Sequence, residues 1–343
     1  MKTQIVSVDN LSAKEQSYTQ AVDLLEAGET VAFPTETVYG LGAVATNEVA
    51  VRKIFEAKGR PQDNPLIVHI GEKNDLDSFT MNIPELAKEC MDAFWPGALT
   101  LILPLKPNTL AVNVTAGLNT VGVRMPEHPV ALELLRRLKR PVAAPSANRS
   151  GKPSPTQAVH VLHDLDGKIP LIVDGGATGI GLESTVLDVS TDIPTILRPG
   201  GVTREMLEKV IGPVNETKLT DQVEAPRAPG MKYAHYAPDA PVYLIEAYIE
   251  EVQKAVKSIH NDNKKVALIA SDSYSECPAD YFFTLGKENQ LEDAAHLLYE
   301  ALRKCDESDA DLVLVPAFPK QGVGNAIMNR LEKAAKGNWF NLD

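Results

Sequence analysis

Eight short apolar runs, separated by helical patterns, limit what the first two thirds of this chain can fold into. The runs are TVAFP, PLIVHI, LTLILPL, TVGVRMP, PVAAPSAN, IPLIVDGG, STVLDVS and PTILRPG. Apolar runs bounded by Pro, Gly and Asn are typical of buried strands. The helical patterns cover 17–27, 46–58, 84–94, 129–139 and 203–211. Because the strands outnumber the helices, the sequence predicts an open mixed sheet with helices packed on it.

The pattern changes after residue 212. Residues 212–241 contain five prolines and no sustained periodicity, which is typical of a linker or a functional loop. The runs VYLIE, KVALIA and ADLVLVPA then alternate with helical patterns at 248–260 and 291–304, which predicts a small parallel α/β sheet. We therefore predict three parts: a domain over 1–212, a linker over 213–241, and a smaller α/β domain over 242–343.

Charge and cysteine content exclude several classes of protein. A net charge of −12 disfavours a protein that binds nucleic acid over its whole surface, since that binding depends on Lys and Arg. Cys90, Cys277 and Cys305 are far apart in sequence, which excludes the usual zinc-finger spacings, and these three cysteines give no disulfide framework. The sequence shows neither an apolar leader nor a run long enough to cross a membrane, so we expect a cytoplasmic protein with no membrane association.

The stretch AKGRPQDNPLIVHI combines charge with a rigid turn. Lys58 and Arg60 end a predicted helix, where cations also stabilise the helix dipole without any ligand. Asn64 and the two flanking prolines predict a rigid turn, which favours a fixed anion-binding role for both cations. His69 follows in a strand, where a hydrogen-bonded core histidine is the common alternative to a ligand-binding one.

Other hydroxyls and cations follow predicted strands. In FPTETVYGLG, either Thr35 or Thr37 caps a helix, or Thr35 lines a ligand site at a strand end. Arg124 lies inside a strand pattern, so a carboxylate or an anionic ligand should pair with it. Ser146 and Asn148 follow a strand in APSAN, and Arg198 ends another in LRPG.

Several common enzyme motifs are absent from the sequence. DGGATGIGLEST is neither a dinucleotide-binding loop nor a Walker A loop, because a strand pattern rather than a helix follows it. The sequence also lacks G-x-S-x-G and H-E-x-x-H. The inventory of cations and hydroxyls suits chemistry by positioning and charge neutralisation, and alone it indicates an anion-binding α/β protein.

Taken together, the motifs resemble a known family. FPTETVYGLG, the Lys-x-Arg of AKGRPQDNPL, WPGALT, TVGVRMPEHP, the Ser-x-Asn of APSAN and LRPG resemble the YrdC-type domain of threonylcarbamoyl-AMP synthases. APGMKYAHYAP, followed by a Rossmann-like α/β domain ending in GVGNAIMNRLEKAA, is similar to the two-domain form of that family. The resemblance covers nearly the whole chain.

The resemblance implies a nucleotidyltransferase reaction. L-threonine, bicarbonate or CO2, and ATP would give L-threonylcarbamoyladenylate, pyrophosphate and water, the first step of N6-threonylcarbamoyladenosine formation in tRNA. Mg²⁺ would be carried by the ATP phosphates, without dedicated protein ligands. A downstream threonylcarbamoyl-transferase machinery would receive the adenylate, and stable nucleic-acid binding is not required.

The resemblance also implies roles for individual residues. Lys58 and Arg60 are the catalytic candidates and contact ATP phosphates. The remaining ATP-binding candidates are Asn64, Thr115, Ser146, Asn148, Ser154, Arg198 and Tyr236. The threonine-binding candidates are Thr35, His69, Arg124, Ala144 and Ser184, with Arg124 expected to bind the carboxylate. Lys232, His235 and Tyr236 would form a lid that excludes water from a labile adenylate.

Three alternatives remain open from the sequence. The same cations would suit an RNA-binding module, although the net charge disfavours it. A related domain occurs in carbamoyltransferases of hydrogenase maturation, but their Cys-x-x-Cys pairs are missing here. The domain over 242–343 has no catalytic motif, so a purely scaffolding role would also fit it.

Overall fold

A computed structural model describes residues 2–8, 11–191, 193–217 and 236–342 of the chain. The chain divides into two compact units. The first comprises Met1–Ser150, Pro155–Gly179 and Glu183–Lys232, and the second comprises Gly151–Ser154, Ile180–Leu182 and Tyr233–Asp343. The ranges 1–212, 213–241 and 242–343 stay predictions, and 218–235 lies outside the described residues.

The first unit is a mixed α/β structure, as the sequence predicted. Its strands are β1 (Gln4–Ser7), β2 (Val31–Phe33), β3 (Gly40–Val44), β4 (Ile67–His69), β5 (Leu99–Pro104), β6 (Thr120–Arg124), β7 (Val142–Ala143), β8 (Leu171–Asp174), β9 (Thr185–Asp188), β10 (Thr195–Arg198) and β11 (Asn215–Glu216). Its α-helices are α1 (Leu11–Glu26), α2 (Glu48–Lys58), α3 (Glu85–Phe94), α4 (Val112–Thr115), α5 (Pro129–Leu138), α6 (Ala158–Leu165) and α7 (Arg204–Ile211), with a 3₁₀ helix at Lys73–Ser78.

One sheet joins the strands of this unit in the order β1-β8-β2-β3-β7-β4-β6-β5-β9-β10-β11. The sheet contains parallel pairs such as β4–β6 and β5–β9 and antiparallel pairs such as β2–β3 and β5–β6. Helices α1 and α5 pack on the sheet through a buried apolar cluster that includes Tyr18, Leu25 and Leu134. The predicted mixed sheet is therefore confirmed.

The structure of the FPTETVYGLG segment contradicts one of the two interpretations given from the sequence. It connects β2 to β3, which pair antiparallel with Phe33 opposite Gly40. No helix follows Thr35 or Thr37 here, so the helix-cap interpretation is wrong. Instead the Thr35 hydroxyl accepts hydrogen bonds from the backbone N–H groups of Thr37 and Val38, both at 3.2 Å, which stabilises a tight turn between the two strands.

The second unit contains a four-stranded parallel sheet, which confirms the predicted small α/β domain. Its strands are β12 (Val242–Ile245), β13 (Val266–Ala270), β14 (Tyr281–Thr284) and β15 (Leu312–Pro316), in the order β12-β15-β13-β14. Its helices are α8 (Ile249–Asn261), α9 (Leu291–Asp306) and α10 (Val323–Ala334), with a 3₁₀ helix at Asp272–Tyr274. A buried cluster including Val252, Ile259, Leu268 and Leu314 packs α8 on the sheet.

Within the described residues, none of the helices has both the length and the apolar character needed to span a membrane.

Candidate active site

The end of α2 is fixed by a left-handed glycine. Gly59 has φ of 61°, a conformation that glycine adopts without steric cost. Its N–H donates to Glu56 O at 3.3 Å, and the Arg60 N–H donates to Phe55 O at 3.0 Å. These two bonds form a Schellman motif, which ends the helix and sets the direction of the chain at Lys58 and Arg60.

The Lys58 side chain contacts a segment that is distant in the sequence. The side chain is 2 % exposed, and Nζ donates to the carbonyl oxygens of Ser146 and Asn148, both at 2.5 Å. Two motif segments that are about ninety residues apart in sequence therefore meet at one ammonium group. The two carbonyl oxygens orient the Lys58 ammonium, but they carry no formal charge and do not neutralise it. The ammonium therefore suits a site that also binds an anion.

Arg60 is held by the turn that the flanking prolines predicted. Its Nη2 donates to the carbonyl oxygens of Pro65, at 3.1 Å, and Asn64, at 3.4 Å. Asn64 itself is 1 % exposed, and its Oδ1 has no hydrogen-bond partner among the described residues. A buried polar atom without a partner usually signals strain or a missing ligand.

Arg124 is paired with Glu36, which the sequence interpretation missed. Nη2 of Arg124 lies 2.5 Å from Glu36 Oε1, Nη1 donates to Thr37 Oγ1 at 2.8 Å, and Nε donates to Gly97 O at 3.2 Å. Glu36 is therefore the internal carboxylate that the sequence analysis expected to pair with this buried arginine. Glu36 lies inside the FPTETVYGLG motif, so the motif identified the segment but not which of its residues pairs with Arg124.

His69 lies directly beside Arg124, since the two residues are register partners in the β4–β6 pair. The ring is 4 % exposed, its Nδ1 is 3.3 Å from Ile67 O, and Phe33 packs edge-on against it. Burial, with the Arg124 charge as a second cause, lowers the pKa of His69 to about 3. The imidazole is therefore neutral at physiological pH, with Nε2 as an acceptor when Nδ1 carries the proton.

This pKa predicts a stability loss in mild acid. The unfolded imidazole titrates near its ordinary 6.5, so its contribution to stability is fully present above that pH and is lost as the pH falls towards 3. Between pH 6.5 and 5 we expect the free energy of unfolding to fall by about 2 kcal/mol more for the native chain than for His69→Gln. Urea unfolding of both at several pH values measures the difference. Parallel pH profiles would contradict a neutral buried His69.

Arg198 contacts Ser184 near the place where β9 and β10 pair. Arg198 is 5 % exposed, and its Nη2 donates to Ser184 O at 2.9 Å, with Nε at 3.2 Å from the same oxygen. The Ser184 hydroxyl lies 2.8 Å from Thr100 Oγ1 on β5. Arg198 thus orients the backbone and hydroxyl of Ser184.

Backbone hydrogen bonds join several of the segments that carry the candidate residues. Ala147 N donates to Tyr39 O at 2.8 Å, which joins the Ser146–Asn148 loop to the β2–β3 turn that contains Glu36. Ala144, buried after β7, donates from its N–H to Ile67 O at 2.9 Å, on the strand of His69. Thr115 is buried at the end of α4, and the adjacent Val114 O accepts from Leu66 N at 2.8 Å.

The remaining site candidates lie in the second unit or outside the described residues. Ser154 (1 % exposed) and Tyr236 (4 % exposed) belong to the second unit. In that unit Tyr236 packs against Tyr299, with ring centroids 5.4 Å apart, and beneath the guanidinium of Arg330. Lys232 and His235 lie outside the described residues. The lid role of all three stays a prediction.

Among the residues that the structure describes, no group of three or more His, Cys, Asp or Glu side chains is arranged to hold a metal ion.

Comparison with known proteins decides the family. A family model described as "Telomere recombination" matches residues 23–200, and one described as "Threonylcarbamoyl-AMP synthase, C-terminal domain" matches residues 202–336. Threonylcarbamoyl-AMP synthase of Bacillus subtilis is 55% identical over 331 residues, covering 96% of both chains. The chain belongs to the threonylcarbamoyl-AMP synthase family.

Two archaeal comparisons extend the match to structure. Threonylcarbamoyl-AMP synthase of Pyrococcus abyssi is 48% identical over 321 residues, covering 92% of this chain and 93% of that protein. The crystal structure of P. abyssi Sua5 complexed with L-threonine matches with a TM-score of 0.94 at 44% identity, covering 99% of this chain and 100% of the other. The resemblance to the two-domain form is thereby confirmed.

Proposed function

We propose that this protein is a threonylcarbamoyl-AMP synthase that joins L-threonine, bicarbonate or CO2, and ATP. The threonine amine bonds to the carbon of CO2 with loss of a proton, or to that of bicarbonate with loss of water, and becomes a carbamate. A carbamate oxygen then attacks the α-phosphorus, and the bond to the leaving pyrophosphate breaks. The proposal rests above all on the meeting of Lys58 with the Ser146–Asn148 loop, which joins the Lys-x-Arg and Ser-x-Asn motifs in a buried cationic site. Close relatives with this activity support it.

The phosphates of ATP are assigned to Lys58 and Arg60. Both cations are nearly buried, at 2 % and 9 % exposed, and both are fixed by carbonyl contacts before any ligand arrives. Preorganised cations stabilise charge that develops on a transferring phosphoryl group without reorganising during the reaction. Asn64, Thr115, Ser146, Asn148, Ser154, Arg198 and Tyr236 are proposed to complete the nucleotide site.

The threonine carboxylate is assigned to Arg124. A guanidinium has five N–H groups, and its contacts with Glu36, Thr37 and Gly97 use three of them. One N–H on each terminal nitrogen therefore remains for a carboxylate, which can bind both at once. The neutral ring of His69, beside Arg124, offers an acceptor for the threonine hydroxyl or amine. Thr35, Ala144 and Ser184 are proposed to contact the same substrate.

Mg²⁺ is proposed to enter with ATP as part of the substrate, coordinated by the phosphates. The protein's own contribution is to hold both reactants in line and to exclude water from the adenylate. Lys232, His235 and Tyr236 are proposed as the lid for that purpose. The adenylate would pass to a threonylcarbamoyl-transferase that acts on tRNA, in the cytoplasm.

An RNA-binding module on the same cations is not favoured. Lys58, Arg60, Arg124 and Arg198 are all 9 % exposed or less. A phosphodiester backbone is bound by exposed Lys and Arg side chains along a surface, whereas buried cations suit a small anion enclosed in a pocket.

Pyrophosphate release tests the proposal directly. We expect the protein to release pyrophosphate from ATP when L-threonine and bicarbonate are both present, because the carbamate is the nucleophile. Omitting either one should reduce release to the level of a protein-free control. Release at the same rate without threonine would contradict the proposed reaction. L-valine, which has the shape of threonine without its hydroxyl, serves as the substrate control.

A further inference from the structure

A cavity in the second unit lies outside the catalytic machinery described above. Its volume is about 240 Å³. Its walls come from the ends of all four parallel strands and the segments that follow them, at Ala247, Ala270–Ser271, Leu285 and Pro316–Ala317. The cavity therefore opens at the carboxyl edge of the β12-β15-β13-β14 sheet.

The order of these strands favours a binding site at this edge. The chain runs from β12 to β13 and β14, then returns to insert β15 between β12 and β13. In open parallel sheets, ligands bind outside the carboxyl ends of the strands at the point where the chain order reverses. The cavity occupies that position.

The cavity wall presents aromatic and apolar surface with one polar group that has no partner. Leu285 and the rings of Tyr274 and Phe318 line it, together with Pro319. Tyr274 as a whole residue is 7 % exposed, and its hydroxyl makes no hydrogen bond among the described residues. The hydroxyl is therefore available to a ligand in the cavity as a donor and an acceptor. Flat apolar walls and one such group suit a planar heterocycle.

The rim of the cavity is polar and carries both signs of charge. It is formed by the exposed residues Lys287, Glu288, Asn289 and Gln290. The N-terminus of α9 follows immediately, and the acidic residues of its first turn, Glu292 and Asp293, already complement the helix dipole. These carboxylates and Glu288 would repel a phosphate, whereas the amides and the ammonium can bind the hydroxyl groups of a sugar.

We propose that this cavity binds a neutral nucleoside, with the base against Tyr274 and Phe318 and the sugar at the Lys287–Gln290 rim. The site is distinct from the nucleotide site of the first unit, and it gives the smaller domain a ligand-binding role rather than a purely scaffolding one.

Hydrogen exchange of the full-length protein with adenosine as the probe tests the proposal. We expect adenosine to slow amide exchange in peptides that cover 271–274, 285–291 and 317–319. Protection confined to peptides around 58–64 and 146–148 would mean binding at the proposed catalytic site alone and would overturn the proposal. The absence of protection in both regions at millimolar adenosine would overturn it as well.

Two comparisons make the test specific. Tyr274→Phe removes only the unpartnered hydroxyl and should weaken adenosine binding at this edge about fivefold. Tyr281→Phe is the matched control, because the Tyr281 hydroxyl bonds Asp309 rather than lining the cavity, and should leave binding unchanged. AMP should bind there about tenfold more weakly than adenosine, because the carboxylates of Glu288, Glu292 and Asp293 repel its phosphate. Equal binding by Tyr274→Phe, or tighter binding of AMP, would contradict the assignment.

Discussion

Replacing Lys58 by methionine should lower the rate of threonine-dependent pyrophosphate release at least 100-fold, because one preorganised charge at a transferring phosphoryl group contributes a factor of about 10² to 10³. Methionine keeps most of the buried length of the side chain and removes the ammonium that bonds Ser146 O and Asn148 O. The measurement is steady-state release at saturating threonine and bicarbonate, with ATP varied.

The same change should also cost stability, so activity must be measured where the variant is folded. Two carbonyl oxygens lose a buried donor, which costs about 1–3 kcal/mol per unsatisfied group. Lys53→Met is a matched control on the same helix, since Nζ of Lys53 bonds Gly28 O at 2.9 Å and Glu29 at 2.7 Å. It should keep turnover within about twofold while losing some stability. Comparable turnover in both variants would contradict a phosphate-binding role for Lys58.

The parts of the fold that were predictable are those that local pattern determines. Apolar runs with turn residues at both ends marked most strands, and the predicted end of the second helix at Lys58 agrees with the end of α2. β14 was missed because Tyr281–Thr284 is only partly buried or exposed and its pattern gives no clear alternation. α1 begins six residues before its predicted start, since LSAKEQ shows little apolar periodicity.

The site was harder to predict than the fold, because its geometry depends on distant pairs. The chemistry of a buried arginine required a partner for Arg124, but the contact with Thr37 spans 87 residues, and no local spacing points to Glu36. Likewise, the local sequence around Thr35 is compatible with either a helix or a strand after it. Here the pairing of β2 with β3, a tertiary feature, decided between the two interpretations.

Arg124→Gln should weaken the binding of threonine much more than the binding of ATP. Truncating one partner of a buried charged interaction costs about 2–5 kcal/mol, so threonine affinity should fall by about 30-fold or more. ATP affinity should change much less, because Lys58 and Arg60 remain in place. Calorimetric titration of each ligand measures the two effects.

The Glu36 carboxylate makes the interpretation of that variant testable. Alone, Arg124→Gln leaves Glu36 buried and unpaired, which should destabilise the fold by about 3–5 kcal/mol. The double variant Arg124→Gln, Glu36→Gln removes that uncompensated charge and should regain most of the lost stability. Threonine affinity should stay low in the double variant, because the two N–H groups assigned to the carboxylate are still missing. Recovery of threonine binding together with stability would mean that Arg124 acts only as the structural partner of Glu36, and the carboxylate would then need another cation.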